Sequence, residues 1–171
     1  MSRAHGPLKG WRLVGTEPCG VRPHYGGCVL RDVTDSDLDV FFEQQLDGEA
    51  QRLAAFQGRD REAFFAHWER ILEDESVTAK AIVANGAVAG NIVSFPSEGN
   101  REVGYWLGSE FWGQGIASCA LAEFVELVAE RPLYAAVAEA NPASMRVLEK
   151  CGFVRYGKDD EMIMFALRDW P

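Results

Sequence analysis

The segment GYWLGSEFWGQGIASCALAEF, residues 104–124, changes its hydrophobic period part-way along. Arg101 to Leu107 reads as a strand, and Gly108 to Gly115 as a glycine-bearing turn. From Gly115 onward Ile116, Ala117, Ala120, Leu121, Phe124, Val125 and Val128 line one face of a helix that ends near Arg131-Pro132. A strand, a tight glycine turn and an amphipathic helix in that order commit the chain to an α/β arrangement.

Such a turn also has chemistry. The first N–H groups of a helix have no partner inside it, and the aligned peptide dipoles leave partial positive charge there. Glycines let a ligand approach the backbone closely, so the place suits a phosphate or pyrophosphate. A Walker loop would need Gly-Lys-Ser/Thr, where this chain has Gly115-Ile116-Ala117. A dinucleotide fingerprint would need a third glycine where Ser118 stands, after a parallel strand near the chain start. On its own the loop reads equally well as a plain turn before a capped helix.

The remaining elements follow from period and punctuation. Cys28 to Asp32 reads as a strand, and Thr34 or Asp35 caps a helix with Leu38, Phe41, Phe42 and Leu46 on its apolar face. Asp60 to Leu72 reads as a second helix, built on Phe64, Trp68, Ile71 and Leu72. His67 lies beside that face and reads as a surface or packing residue rather than a catalytic one. Strands at Thr78–Ala84 and Ala87–Phe95 flank Asn85-Gly86, a two-residue hairpin signal. Pro96 to Asn100 reads as a loop. Leu133 to Ala138 reads as a strand covered on both sides, and Asn141-Pro142 opens a short helix that stops at Gly152. Phe153–Tyr156 and Met162–Leu167 read as a final antiparallel pair. Residues 1–26 read as an extension, with a short strand near Arg12 to Val14 and with solvent-exposed His5 and His24; residues 27–171 read as one domain.

Composition narrows the function. The 171 residues carry a net charge of −9, which argues against nucleic acid and anionic membranes as partners and accommodates a cationic substrate such as an amine. No apolar run is long enough to span a membrane, and the first residues lack the apolar stretch of a secretory signal. Cys19, Cys28, Cys119 and Cys151 fit no metal spacing; Cys119 and Cys151 read as small core residues, and a reducing, cytoplasmic setting is expected. No metal is expected. Exposed aromatic residues could form a homodimer face.

Two motifs carry a resemblance. The loop Trp112-Gly113-Gln114-Gly115-Ile116-Ala117 resembles motif A of the Gcn5-related N-acetyltransferases, whose pattern is Q/R-x-x-G-x-G/A. It matches at Gly115 and Ala117, while Trp112 replaces the usual Gln or Arg. That replacement, after a GYWL-type strand, is similar to the Rim-type (RimJ/RimL-like) branch. NPASMRVLEKCGF, residues 141–153, resembles motif B, and Val29-Leu30-Arg31 is similar to the first strand of the branch. The likeness spans residues 28–167.

The resemblance implies a mixed, mostly antiparallel central sheet of about six or seven strands, with about four helices, splayed between its fourth and fifth strands. It implies acetyl-CoA as co-substrate and a primary amine as acceptor, such as a protein N-terminus or a small molecule, attacked directly in a ternary complex. Backbone groups near Trp106, Leu107 and Gly108 would pair with the pantetheine arm. N–H groups of Gly113, Gln114, Gly115, Ile116, Ala117 and Ser118 would hold the pyrophosphate. Asn141 would bind the cofactor, or would only cap its helix. Glu102 is the candidate base, or a solvated carboxylate at a strand end. The tyrosine that many members use as acid is Leu148 here, which leaves Ser144 as the candidate donor, with Tyr105 and Tyr134 as alternatives. Trp68, Phe64, Trp106, Phe111 and Trp112 could line an acceptor cleft, one or two of them at most, since aromatics at helical spacing are more often core. A domain of the same fold that binds acyl-CoA without turnover is the second reading.

Overall fold

A computed structural model describes residues 27–168. The expected extension, its short strand, His5, His24 and Cys19 lie outside the described residues.

The chain runs β1 (Cys28–Asp32), α1 (Asp35–Gln45), α2 (Gly48–Ala54), α3 (Arg61–Glu73), β2 (Thr78–Ala84), β3 (Ala87–Ser97), β4 (Asn100–Leu107), a short 3-10 turn (Ser109–Phe111), α4 (Ile116–Leu127), β5 (Leu133–Ala138), α5 (Pro142–Lys150), β6 (Val154–Asp159) and β7 (Met162–Leu167). The seven strands form one sheet in the order β1-β2-β3-β4-β5-β7-β6. Every neighbouring pair is antiparallel except β4 and β5, which are parallel. This is the splayed α/β architecture expected from the two motifs.

Local chemistry accounts for the boundaries. The Thr34 N–H donates to Asp37 Oδ2 at 2.8 Å and starts α1. The Arg31 guanidinium grips the same carboxylate with bonds of 2.6 and 2.8 Å, tying the end of β1 to the helix it feeds. Asn85 and Gly86 take φ of 52° and 78°, as the hairpin signal requires. Asn141 caps α5 by accepting the Ser144 N–H at 3.1 Å, with Pro142 in the first turn.

Three expectations are corrected. A fifth helix, α2, lies between the two expected ahead of the hairpin; it opens with glycine and has 7 residues, too few for a period to show. Asp47 holds its start by accepting from the N–H groups of Glu49 and Ala50. The expected loop at Pro96–Asn100 is a tight turn at Glu98 and Gly99, with φ of 49° and 83°. Strand β3 runs on through Pro96, beyond its last pairing with β2 at Thr78↔Ser94, so the missing N–H interrupts no ladder. Finally, Cys119 is no free core thiol: it forms a disulfide with Cys28 across 91 residues, because α4 packs over β1. The cysteines therefore do not argue for a reducing setting. Cys151 is buried in the core, as expected, and its thiol donates to the Ser118 carbonyl at 3.6 Å.

The two sheet faces are covered differently. On one, α4 and α5 bury Leu121, Phe124, Val125, Val147 and Leu148 against Ile82, Ile92, Tyr105, Leu133, Val137 and Phe165. On the other, Leu38, Phe41, Phe64, Trp68 and Ile71 of α1 and α3 pack on Ala81, Val93 and Phe95 of β2 and β3. His67 is buried, a packing residue of that helix layer. No helix of the described residues is long and apolar enough to cross a membrane.

Candidate active site

The centre of the sheet is open. Strands β4 and β5 pair only at Arg101↔Leu133 and Glu102↔Tyr134, although β4 continues to Leu107 and β5 to Ala138. Beyond Glu102 the two strands part. Gly108 donates its N–H to the Ala89 carbonyl at 3.0 Å, in register with the β3–β4 ladder. Antiparallel alternation then turns the backbone groups of Gly104 and Trp106 toward β3, and those of Tyr105 and Leu107 toward the opening. Gly90 makes this close fit possible: a Cβ there would lie 1.9 Å from the Trp106 carbonyl oxygen.

Side chains fix this strand end to its surroundings. The Trp106 indole N–H donates to the Gln44 carbonyl at 3.3 Å, and its ring meets Phe56 edge-on beside Ala50 and Ala54. The Trp112 indole N–H reaches back to the Leu107 carbonyl at 3.1 Å, so the residue that departs from motif A ties the glycine loop to β4. Trp68 and Phe64 lie in the core of the helix layer, whereas Phe111 and Trp112 are half-buried at the loop.

The loop itself turns on Gly113 and Gly115, with φ of 73° and 80°, where a side chain would be strained. Gln114 is exposed, and its amide donates to the Glu110 carbonyl at 2.8 Å. The helical ladder of α4 begins when Cys119 donates to Gly115 at 3.0 Å, so the N–H groups of Ile116, Ala117 and Ser118 precede it. No side chain caps this end, and no acidic residue stands in its first turn. The buried Ser118 Oγ in the same turn has no hydrogen-bond partner among the described residues. An uncapped helix start with an orphaned buried hydroxyl fits an anionic group.

The candidate proton-handling groups fall on two sides. Ser144, fully buried at the start of α5, accepts a hydrogen bond from the Tyr105 hydroxyl at 3.2 Å; Asn141, also fully buried, accepts from the Ser144 N–H. Leu148 is buried in the core between α4 and α5. Glu102 alternates with Val103 and Tyr105 and so points to the opposite face, that of α1 to α3, where it is half-buried beside Tyr134. Tyr134 in turn meets the ring of Tyr156. Burial, and then Tyr134 and Glu102 nearby, push the Tyr156 phenol up from its usual value. Sequence reasoning missed Tyr156, because only the folding of β6 beside β7 brings it near β5.

The comparisons with known proteins agree with this geometry. The model of the acetyltransferase (GNAT) domain matches residues 28–154. No curated protein sequence matches the chain. Among solved structures, the spermidine N-acetyltransferase of Vibrio cholerae, in complex with CoA and spermine, superposes with a TM-score of 0.69 at 15% identity, over 81% of this chain and 92% of that one. The aminoglycoside acetyltransferase AAC(6')-Ib with coenzyme A and kanamycin gives 0.69 at 19% identity, over 83% and 95%. Campylobacter jejuni N-acetyltransferase PseH in complex with acetyl coenzyme A gives 0.62 at 13%, over 82% and 98%. At these identities the structures share the fold. Together with the family match over most of the chain, the parted strands and the glycine loop lead to one assignment: the chain belongs to the GNAT acetyltransferase family.

Proposed function

We propose that this protein is a Rim-type, acetyl-CoA-dependent N-acetyltransferase that acts on a primary amine by direct attack in a ternary complex. One observation carries the reading: β4 and β5 part after Glu102, and the loop that Trp112 ties to the parted end of β4 leads into the acid-free, uncapped start of α4. The backbone of Leu107, and of Tyr105 one step below, would pair with a pantetheine arm in the gap. The N–H groups of residues 113–118, with the Ser118 hydroxyl, would hold the pyrophosphate. When bound, acetyl-CoA supplies an activated thioester carbonyl.

The protein's own groups then handle protons. Glu102 takes the proton that the acceptor amine must lose, from the open side of the sheet. Ser144, hydrogen-bonded to Tyr105, offers a hydrogen-bond donor on the opposite side, in place of the family's tyrosine. Part of the rate comes from holding amine and thioester in line. A cationic acceptor suits the net charge of −9, and the solved relatives that carry spermine and kanamycin are enzymes acting on amines by name.

The buried Leu148 favours the second reading, an acyl-CoA sensor without turnover. Thiol release separates the two. Incubated with acetyl-CoA and a panel of amines and N-terminal peptides, the enzyme frees CoA above background with at least one acceptor; a sensor binds the cofactor and frees none. Glu102→Gln lowers kcat about a hundredfold while leaving acetyl-CoA affinity nearly intact.

A further inference from the structure

The carboxylate of Glu102 does not stand alone on its face of the sheet. Tyr134 lies directly across from it, on the last paired rung before β4 and β5 part. Since Leu133 and Ala135 turn into the core under α4, Tyr134 shares the Glu102 face. The Tyr134 and Tyr156 rings meet edge-on, with centroids 5.8 Å apart and planes at 74°. Tyr156 reaches that far because β6 carries an extra residue between Arg155 and Gly157, and such a bulge re-aims a side chain.

This corner is only partly covered. The buried side chains of α1 and α3 cover β2 and β3, and α2 packs on Trp106 and reaches β5. On β5 and β7, Tyr134, Ala136, Met162 and Met164 of the same face are half-buried, Ala138 and Ala166 are buried, and Tyr156 is 53% exposed. Two aromatic rings and one carboxylate therefore border a partly accessible apolar floor at the point where the strands part. Aromatic faces attract cations, and apolar side chains accept the methylenes between them. The raised phenol of Tyr156 stays neutral, and its ring keeps that character, through the physiological pH range.

We infer that Tyr134 and Tyr156 wall the acceptor subsite, and that it takes an aliphatic amine bearing a second positive charge, with the reacting nitrogen at Glu102 and the distant cation on the rings. This inference rests on the transferase reading for its chemistry, but its geometry is independent of turnover. Tyr156 is a positioning residue here, and its aromatic face, not its hydroxyl, is what acts.

The test uses the full chain, with 1,4-diaminobutane and butylamine as probes. Tyr156→Ala raises the KM for 1,4-diaminobutane about fivefold to tenfold, as expected from losing one cation–aromatic contact. It leaves the KM for acetyl-CoA within about twofold, Tyr156→Phe restores the wild-type value, and Tyr156→Lys raises it further than Ala does. Butylamine, which lacks the second charge, is little affected. Unchanged diamine KM in Tyr156→Ala, or a parallel rise in both KM values, overturns the inference while leaving the transferase reading intact. Equilibrium binding of 1,4-diaminobutane to the CoA complex keeps the two questions apart. Binding that depends on Tyr156 without thiol release from any amine sinks the transferase and keeps the subsite. Absence of both binding and turnover overturns the subsite.

Discussion

The Tyr105 hydroxyl donates to Ser144 Oγ at 3.2 Å, inside a core where both side chains are fully buried. A strand and a helix from distant parts of the chain thus meet through one polar contact beside the gap in the sheet. Ser144→Ala leaves a buried phenol without that acceptor, which costs about 1–3 kcal/mol of stability, and lowers kcat about tenfold to a hundredfold. Tyr105→Phe removes the donor instead and costs about 1 kcal/mol. Denaturant melts and steady-state kinetics on the two single variants and the double variant measure the coupling. A double variant whose effects simply add contradicts a shared role.

Gly115 adopts φ of 80° at the start of α4. A valine there is strained and also covers the N–H groups that would meet a pyrophosphate. Gly115→Val should abolish acetyl-CoA binding in calorimetry while far-ultraviolet dichroism reports a folded chain. Retained affinity contradicts the pyrophosphate assignment.

The Cys28–Cys119 bond closes a loop spanning 91 residues. By chain entropy alone, a cross-link of that span stabilises by about 4–5 kcal/mol, and measured values are commonly about 2–4 kcal/mol. Cys28→Ser, or incubation with a dithiol reductant, should therefore lower Tm by several degrees. Non-reducing peptide mapping should recover the two cysteine peptides as one linked species, and reduction should separate them.

Asp37 titrates with folding. The Arg31 guanidinium holds its carboxyl below the usual carboxylate range, against the opposing effect of burial, with help from Thr34. The folded group keeps its charge to lower pH than the unfolded one, so its contribution is fully present above about pH 4–5. It fades as pH falls through the depressed value. Because the Arg31 side chain keeps 39% of its exposure, screening limits the contribution to about 1–2 kcal/mol. Urea midpoints measured from pH 7 to pH 3 should fall, and Asp37→Asn should flatten part of that fall.

Most of this architecture is legible in the sequence because most of its signals are local. Asn85-Gly86 specifies a hairpin whatever surrounds it, and Asn141-Pro142 specifies a helix start. The period changes at Gly115 because the helix begins there. What escapes is either too short or too distant. Helix α2 makes two turns, within which a period cannot be told from chance. Pro96 suggests a loop, since its place on the unpaired side of β3 depends on where β2 ends. The disulfide and the contact between Tyr134 and Tyr156 join residues that only the finished sheet brings together. The candidate site divides in the same way. Its loop is local and readable, whereas the assignment of Glu102 and Ser144 to opposite sheet faces needs the register.

A sheet that parts in its middle has edge strands where no solvent-facing edge is expected. Half of the pairing capacity of β4 and β5 above Glu102 must be met by something other than a neighbouring strand. A ligand that enters the gap as a substitute strand is then part of the architecture as well as of the chemistry. Its concentration enters the folding equilibrium directly, adding about 2.7 kcal/mol at a hundred times its Kd. Seen this way, the protein is a fold one strand short, and any ligand that fills the gap adds to its stability.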